Sequence, residues 1–496
     1  MNVTMPEGRW ATAGLAALFG AFAALGQAPW GLWYISLAAF SAIFWLLSQA
    51  PTWRRAAWTG WSAGAGYFAV ALFWIVEPFL VDVARHGWMA PFALTFMAGG
   101  FALFWGLAFG VAHRFGGRTQ QTAFGVLLLT GAELLRGVIL TGFPWATIGH
   151  IWTDHPILQL AALGGATLLS VLTLTVSALP IMLPNRVVGL VGSAIILAGG
   201  WGYGAVRLET ALDPSGKTAR LIQPNATQEL KWDPEFAGVF FARQLAMTSE
   251  PSDEDLDLIV WPETAVYTLL DRAELAFEAI AGAADGSPVI FGGNDVVGDT
   301  YRNSLALMNG DGAVIDTYHK HHLVPFGEYV PLGELMANLG IRGMAARDGG
   351  GFGSGPGPRL LEVDGVGRVL PLICYELIFP RHLQTAERPD IIVQITNDAW
   401  FGNISGPYQH LAQARLRAVE QGLGLIRSAN TGITAAIDPL GRILRQTPLN
   451  EAGYLDVAMP SALPPTLYAR TGDWPIAMVL AALLAGLIAA RIRERD

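Results

Sequence analysis

The chain opens on apolar runs of near-uniform length separated by short polar breaks. Runs at 10–27, 31–49, 57–78, 89–112, 121–140, 158–183 and 187–206 each approach the ~20 residues a helix needs to cross a hydrocarbon core. The breaks fall at Ala28-Pro29, Pro51, Pro78, Gly116-Gly117, Pro156 and Pro184. An eighth run, 474–490, precedes Arg491, Arg493 and Arg495. The pattern predicts an α-helical transmembrane bundle of eight spans, seven in residues 1–209 and the last in 473–496. Between them, over 210–472, the apolar stretches shorten to strand length. Strands are expected at 219–223, 256–261, 288–292, 304–309, 313–318, 368–374, 391–395, 424–428 and 433–438, and helices at 234–247, 272–284, 376–386 and 407–421. That alternation predicts an α/β domain with helices on its sheet faces. The glycine-rich stretch 335–358 has no clear period and reads as a mobile loop.

Composition sharpens the membrane reading. Of 496 residues, 52% are hydrophobic and 14% charged, against about 25% charged in an ordinary soluble domain. Mean hydropathy is +0.39. Lys and Arg near span ends stay cytoplasmic. With the N-terminus inside, Arg9, Arg54, Arg55, Arg114, Arg118, Arg186 and the terminal arginines share the cytoplasmic side, and the opposite loops carry Arg85 and Arg136. Seven spans then deliver 210–472 to the extracytoplasmic face. A net charge of −9 disfavours nucleic acid as a partner. One cysteine excludes an intrachain disulfide framework and a zinc site made only of cysteines.

Three segments carry candidate chemistry. Cys374 closes the apolar run Val369-Leu-Pro-Leu-Ile-Cys374 and precedes an expected helix, whose N-terminal N–H groups would stabilise a thiolate or an oxyanion. A lone cysteine fits a buried structural thiol equally well. Glu263 ends Val260-Trp-Pro-Glu263, and a carboxylate at the C-terminal edge of a sheet stands where sites are commonly built, although an N-cap or a surface acid would look the same. Lys320 is one of only three lysines among 31 basic residues, which suits a role for a compact ammonium near a developing oxyanion. His319, His321 and His322 are too close in sequence to converge on one metal, since adjacent side chains point in different directions; no metal or other cofactor is expected.

Together the three segments resemble the nitrilase superfamily. That resemblance implies an α-β-β-α sandwich, with Glu263 as general base, Lys320 as oxyanion stabiliser and Cys374 as nucleophile. Over the whole chain the sequence is similar to the apolipoprotein N-acyltransferase family. The motifs are Thr141-Gly-Phe-Pro-Trp145, Gln223-Pro-Asn225 through Lys231-Trp232, Trp261-Pro-Glu263, Lys320 through Glu328, Cys374-Tyr-Glu376 and Asn397-Asp-Ala-Trp-Phe-Gly402. The likeness implies Glu328 and Glu376 as supporting catalytic carboxylates. It also implies that Trp232, Asn303, Tyr375, Trp400 and Phe401 line or gate the substrate site, with Phe326, Trp400 and Phe401 suited to acyl chains. Implied partners are a phospholipid acyl donor and a diacylated apolipoprotein acceptor at the bacterial inner membrane, with the catalytic domain on the periplasmic side. Two other readings stay open: a membrane-tethered amidase or hydrolase using water as acceptor, and a transporter with an outer binding domain. For the transporter the hint would be Glu133 and Arg136, at i, i+3 spacing near a span end.

Overall fold

The computed structural model describes residues 8–331 and 351–493. The chain divides into two compact units. One comprises Met1–Thr210, Phe401–Glu420 and Pro465–Asp496, and the other Ala211–Trp400 and Gln421–Pro464.

The first unit is helical. Its long helices are Arg9–Ala24, Trp33–Gln49, Trp53–Ala71, Ala90–Arg136, Ala161–Met182, Arg186–Leu208 and Trp474–Arg493. Among the described residues, four stretches are long and apolar enough to cross a membrane: Val83–Gly117, Pro156–Met182, Arg186–Leu208 and Trp474–Arg493. Trp53–Ala71 with Phe73–Leu80 makes a fifth, as a pair bent by 49°. This is fewer than the eight runs counted in the sequence. The first two helices have only 16 and 17 residues, and 121–140 continues the preceding helix past a break at Gly117, where φ is 57°. Close backbone approach joins the helices Arg9–Ala24 and Trp53–Ala71. A Cβ at Gly20 would lie 1.9 Å from the Ala63 carbonyl, and one at Gly66 would lie 1.9 Å from that of Ala17.

Two buried features tie this unit together. Arg136 pairs with Glu133 at 2.8 Å and donates to the carbonyls of Phe143 and Trp145, while Trp105 Nε1 donates to Glu133 at 3.0 Å. Of the two partners open to this pair, each other or a lipid headgroup, the structure shows each other. The helix Gly406–Gln421, far along the chain, contributes Leu416 and Val419 to an apolar cluster with Ile151, Trp152 and Leu169. Gln409 accepts from Trp145 Nε1 at 2.7 Å and donates to the Ala71 carbonyl at 3.1 Å.

The second unit contains two six-stranded sheets. The first holds β1 (Pro214–Gln223), β2 (Leu258–Val260), β3 (Val289–Val297), β4 (Thr300–Met308), β5 (Val314–His319) and β12 (Gly453–Pro460), in the order β12-β1-β2-β3-β4-β5. The second holds β6 (Leu361–Val363), β7 (Gly367–Ile373), β8 (Ile391–Thr396), β9 (Leu425–Ala429), β10 (Ala435–Ile437) and β11 (Ile443–Gln446), in the order β11-β10-β9-β8-β7-β6. Within each, three neighbouring strands are parallel, β1-β2-β3 and β7-β8-β9. The sheets are linked where Ser428 donates to the Ile222 carbonyl at 2.7 Å. Helices Pro234–Thr248 and Glu274–Ala284 cover the first sheet through Phe241, Ile280 and Ala284, packed with Ile259, Trp261 and Phe291.

Nine strands stand close to where the hydrophobic pattern placed them. The expected helix 376–386 does not form. Two short 3₁₀ turns, Cys374–Ile378 and Pro380–Leu383, replace it. Pro380 offers no N–H and forces Phe379 into extended backbone, with φ −95° and ψ 107°. The glycine-rich loop 335–358 lies outside the described residues as far as Gly350. Its remainder is tied down, with Phe352, Gly353 and Gly355 donating backbone hydrogen bonds of 2.8 Å to the carbonyls of Glu328, Tyr301 and Lys320.

Candidate active site

Glu263 follows β2 across Pro262, and its backbone is gripped from two sides. A Cβ at Gly292 on β3 would lie 2.7 Å from Glu263 Cα and 2.5 Å from the Thr264 nitrogen, so only glycine fits there. Thr264 takes a left-handed φ of 49°. The buried Lys231 ammonium donates to the Glu263 carbonyl at 3.0 Å and to the Thr264 hydroxyl at 2.5 Å. Burial lowers the Lys231 pKa to about 8 against the pull of the Glu263 charge.

Lys320, Glu328 and Asn303 complete one face of the site. Lys320 follows β5 directly and donates its backbone N–H to the Asn303 carbonyl at 2.9 Å. Its Nζ lies 2.9 Å from Glu328 Oε1 and 3.8 Å from Glu263 Oε1, the latter too long for a direct hydrogen bond. The Asn303 amide bridges the two carboxylates, donating to Glu263 at 2.7 Å and to Glu328 at 3.1 Å. Glu328 is further fixed by the Val324 N–H at 2.8 Å. Burial opposes the charge on Lys320, but Glu328 and Glu263 outweigh it and hold the ammonium protonated, with its pKa raised. Glu263 goes the other way. Burial raises its pKa, with Glu328 adding to the effect and Lys320 and Asn303 opposing it.

Cys374 follows β7 directly, on a backbone that a residue with a side chain rarely adopts, φ 52°. Gln394 on β8 donates to its carbonyl at 3.1 Å. The thiol is buried. Burial and the Glu263 charge raise its pKa, while Lys320 and a hydrogen bond with Thr396 pull it down. The thiol therefore couples electrically to both Glu263 and Lys320, and it needs a base to lose its proton near neutrality. The expected long helix behind it is only a turn, so its environment is set by side chains more than by a helix dipole.

The other expected site residues separate into groups. Glu376 is fully buried and braces the Cys374 turn. Its Oε2 accepts from the Ile373 N–H at 2.8 Å, and its Oε1 accepts from the His321 N–H at 2.8 Å and the Tyr318 hydroxyl at 2.9 Å. Tyr375 is buried too, against His322 and Phe379 at ring separations of 5.6 and 5.0 Å. Trp232 is half-buried and lines a small pocket with Lys231, Phe240, Thr264 and Tyr267. Phe326 is half-exposed at φ 62°. Trp400 is half-buried. Phe401 belongs to the helical unit and is buried there against Trp74 and Trp145 at 4.9 and 5.3 Å. The sequence reading passed over His382, which meets both His321 and His322. The idea that adjacent histidines point apart fails here, because one ring placed between them serves both.

These positions can be compared with known proteins. Residues 19–179 match the model of the apolipoprotein N-acyltransferase N-terminal domain, and residues 218–463 match that of carbon-nitrogen hydrolase. A protein of Caulobacter vibrioides named apolipoprotein N-acyltransferase is 37% identical over 514 residues, covering 98% of this chain and 96% of its own. The chain belongs to the apolipoprotein N-acyltransferase family. Family members from Bradyrhizobium diazoefficiens and Brucella melitensis are 37% and 36% identical, each covering 98% of this chain and 95% and 97% of their own. Among solved structures, a variant amidase from a Nesterenkonia species, covalently modified at its active-site cysteine, covers 54% of this chain and 99% of its own at 16% identity and a TM-score of 0.39. The second unit thus carries the carbon-nitrogen hydrolase fold of an acyltransferase, and the first is its membrane-associated helical region.

Proposed function

We propose that this chain takes an acyl chain from a phospholipid, holds it as a thioester on Cys374, and passes it to the N-terminal α-amino group of S-diacylglyceryl-cysteine in an apolipoprotein. The observation that carries the reading is a buried thiol together with a buried Glu263 carboxylate that Asn303 holds at 2.7 Å and that lies 3.8 Å from the Lys320 ammonium, in a chain of this family. In the first half-reaction Glu263 takes the Cys374 proton and sulfur attacks the ester carbonyl. Lys320 and the Tyr375 N–H stabilise the tetrahedral oxyanion. Collapse breaks the acyl C–O bond, and Glu263 returns its proton to the glycerol oxygen. In the second half-reaction the neutral α-amine attacks the thioester, Glu263 takes the amine's proton, and collapse releases the amide. That proton returns to sulfur. Glu328 supports Lys320, and Asn303 orients Glu263; Trp232, Phe326, Tyr375, Trp400 and Phe401 are the proposed substrate-facing residues.

The two acyl-bearing substrates explain a membrane mounting, since extraction would cost ~0.8 kcal/mol per exposed CH₂. We read the helical region as eight crossings in all, the shorter helices included. The arginine asymmetry supports a bacterial inner-membrane protein with 210–472 on the periplasmic face. The test is purified protein with phospholipid, followed by intact mass. An acyl adduct on Cys374 that is discharged by a diacylated lipopeptide, with the acyl group recovered on its α-amine, is the expected result. Discharge to free fatty acid alone would make the chain a hydrolase.

A further inference from the structure

Next to Glu376 in the Cys374 turn lies a chain of imidazoles that the acyl-transfer chemistry does not use. His321 Nε2 lies 3.0 Å from His382 Nδ1, and His382 Nε2 lies 2.8 Å from His322 Nδ1. His321 Nδ1 lies 2.7 Å from both Glu376 Oε1 and the Tyr318 hydroxyl. His382 uses opposite ring nitrogens for its two neighbours, so no single ion could be held by all three rings. A hydrogen-bonded array remains, and its direction is fixed at one end. Glu376 Oε1 already accepts from the His321 N–H and the Tyr318 hydroxyl, so the ring nitrogen facing it must donate as well. With neutral rings this donation selects one set of tautomers, in which His321 Nε2 accepts from His382 Nδ1 and His382 Nε2 accepts from His322 Nδ1.

Glu376 is the reason such a direction matters. Its two oxygens accept from both flanks of the site: Ile373 N–H beside the nucleophile, and His321 N–H beside the lysine. Donors meet both oxygens, four of them at Oε1, an arrangement that suits the carboxylate as an anion. We propose that His321, His382 and His322 form a one-directional imidazole array that keeps Glu376 ionised and oriented, and through it positions the Cys374 turn against the Lys320 segment. The groups around the array are Tyr318 and Arg359 on the strand side, Lys320 next in sequence, and Arg381 beside His382. Burial and the neighbouring Arg381 charge favour neutral rings, lowering His322 to about 4, and burial with the two other imidazoles lowers His382 to about 2. The three histidines and Glu376 are positioning residues, and their role rests on the reading of Cys374 as nucleophile.

His382→Phe keeps a flat ring and removes both links. Two measurements on full-length protein separate this proposal from the function it rests on: single-turnover thioester formation, and the pH dependence of Cys374 alkylation by iodoacetamide, which needs no acyl transfer. Misplacement of the nucleophile should slow thioester formation about 10- to 100-fold with donor KM within about two-fold of the parent, and the alkylation profile should shift. His382→Gln, able to keep one link, should fall between parent and His382→Phe. Should His382→Phe not fold, His382→Gln and His322→Gln carry the test, with the larger loss expected at 382. A parental rate and a parental alkylation profile in the folded variants would overturn the proposal. A shifted alkylation profile in a protein that forms no thioester even unmutated would support the array and overturn the acyl-transfer reading instead.

Discussion

Two of the buried charge clusters among the described residues are built differently. In the helical unit, Glu133 and Arg136 match one for one. Each carboxylate oxygen has a full-length hydrogen bond, and the guanidinium also serves two carbonyls. In the sheet unit, Lys320 faces two carboxylates, one at 2.9 Å and the other at 3.8 Å, beside a thiol. In the first arrangement both carboxylate oxygens are hydrogen-bonded. In the second, Glu263 is incompletely compensated and its proton affinity rises, which suits an acceptor for a thiol proton. One cation matched to one carboxylate marks a brace, and a shared ammonium marks a reactive centre. The same contrast removes the hint of a transporter, since Glu133 and Arg136 fasten the Phe143–Trp145 segment and are not free to bind a solute.

The comparison breaks most sharply at the nucleophile. Cys374→Ala and Cys374→Ser should each yield folded protein with no acyl adduct by intact mass and no lipopeptide acylation; transfer by either would remove the thiol from the mechanism. Next is Glu263→Gln, expected to slow single-turnover thioester formation by ~10²- to 10⁴-fold with little change in donor binding. In the parent the rate should rise with pH through a midpoint above 4.5, because the base acts only when deprotonated and its pKa is raised. A midpoint below that value would assign the proton to another group.

Arg136→Met tests the other side of the contrast. Removing one partner of a buried pair costs about 3–5 kcal/mol, read as lower thermal stability, while the thioester rate of the folded fraction should stay parental. The double variant Glu133→Leu with Arg136→Met should recover much of that stability. A slow but stable Arg136→Met protein would show the brace to be part of the chemistry. The smallest effect concerns acid. His322 and His382 have folded pKa values below the ordinary 6.5, so protons bind the unfolded chain first as pH falls. The thermal midpoint should decline below about pH 6.5 and continue to decline towards pH 4. His382→Phe should flatten this decline, and an unchanged slope would mean that other groups set it.

Most strands of the sheet unit were legible because β2 is wholly apolar and β7 and β8 carry the apolar runs Val369–Ile373 and Ile391–Val393, short stretches that a sheet interior accounts for. β12 was not, because it is an edge strand that exposes part of its length and mixes Asp456 with apolar residues. Residue type at strand ends singled out Glu263, Lys320 and Cys374, and only the family resemblance joined them into a candidate triad. What lay behind it was not legible: His382 is 60 residues from His322 and meets it only because Pro380 breaks the expected helix and turns the chain. Arg427 with Asp398, another fully buried pair, likewise depends on β9 lying beside β8. Periodicity reports which face is buried, and it is silent about which buried polar groups will meet.

The chain passes between the two units at residues 210, 400, 420 and 464, and this has a consequence for how the protein is made. Neither unit is a continuous stretch, so neither can be finished when its first half leaves the ribosome. The helical unit, begun with residue 9, waits nearly the whole of translation for Leu416, Val419 and the helix Trp474–Arg493. During that wait Ile151, Trp152 and Leu169 lack part of their cover. Cutting the gene at residue 210 should therefore give two poorly behaved fragments rather than a membrane half and a free-standing catalytic half, and co-expression of the pieces should rescue both or neither.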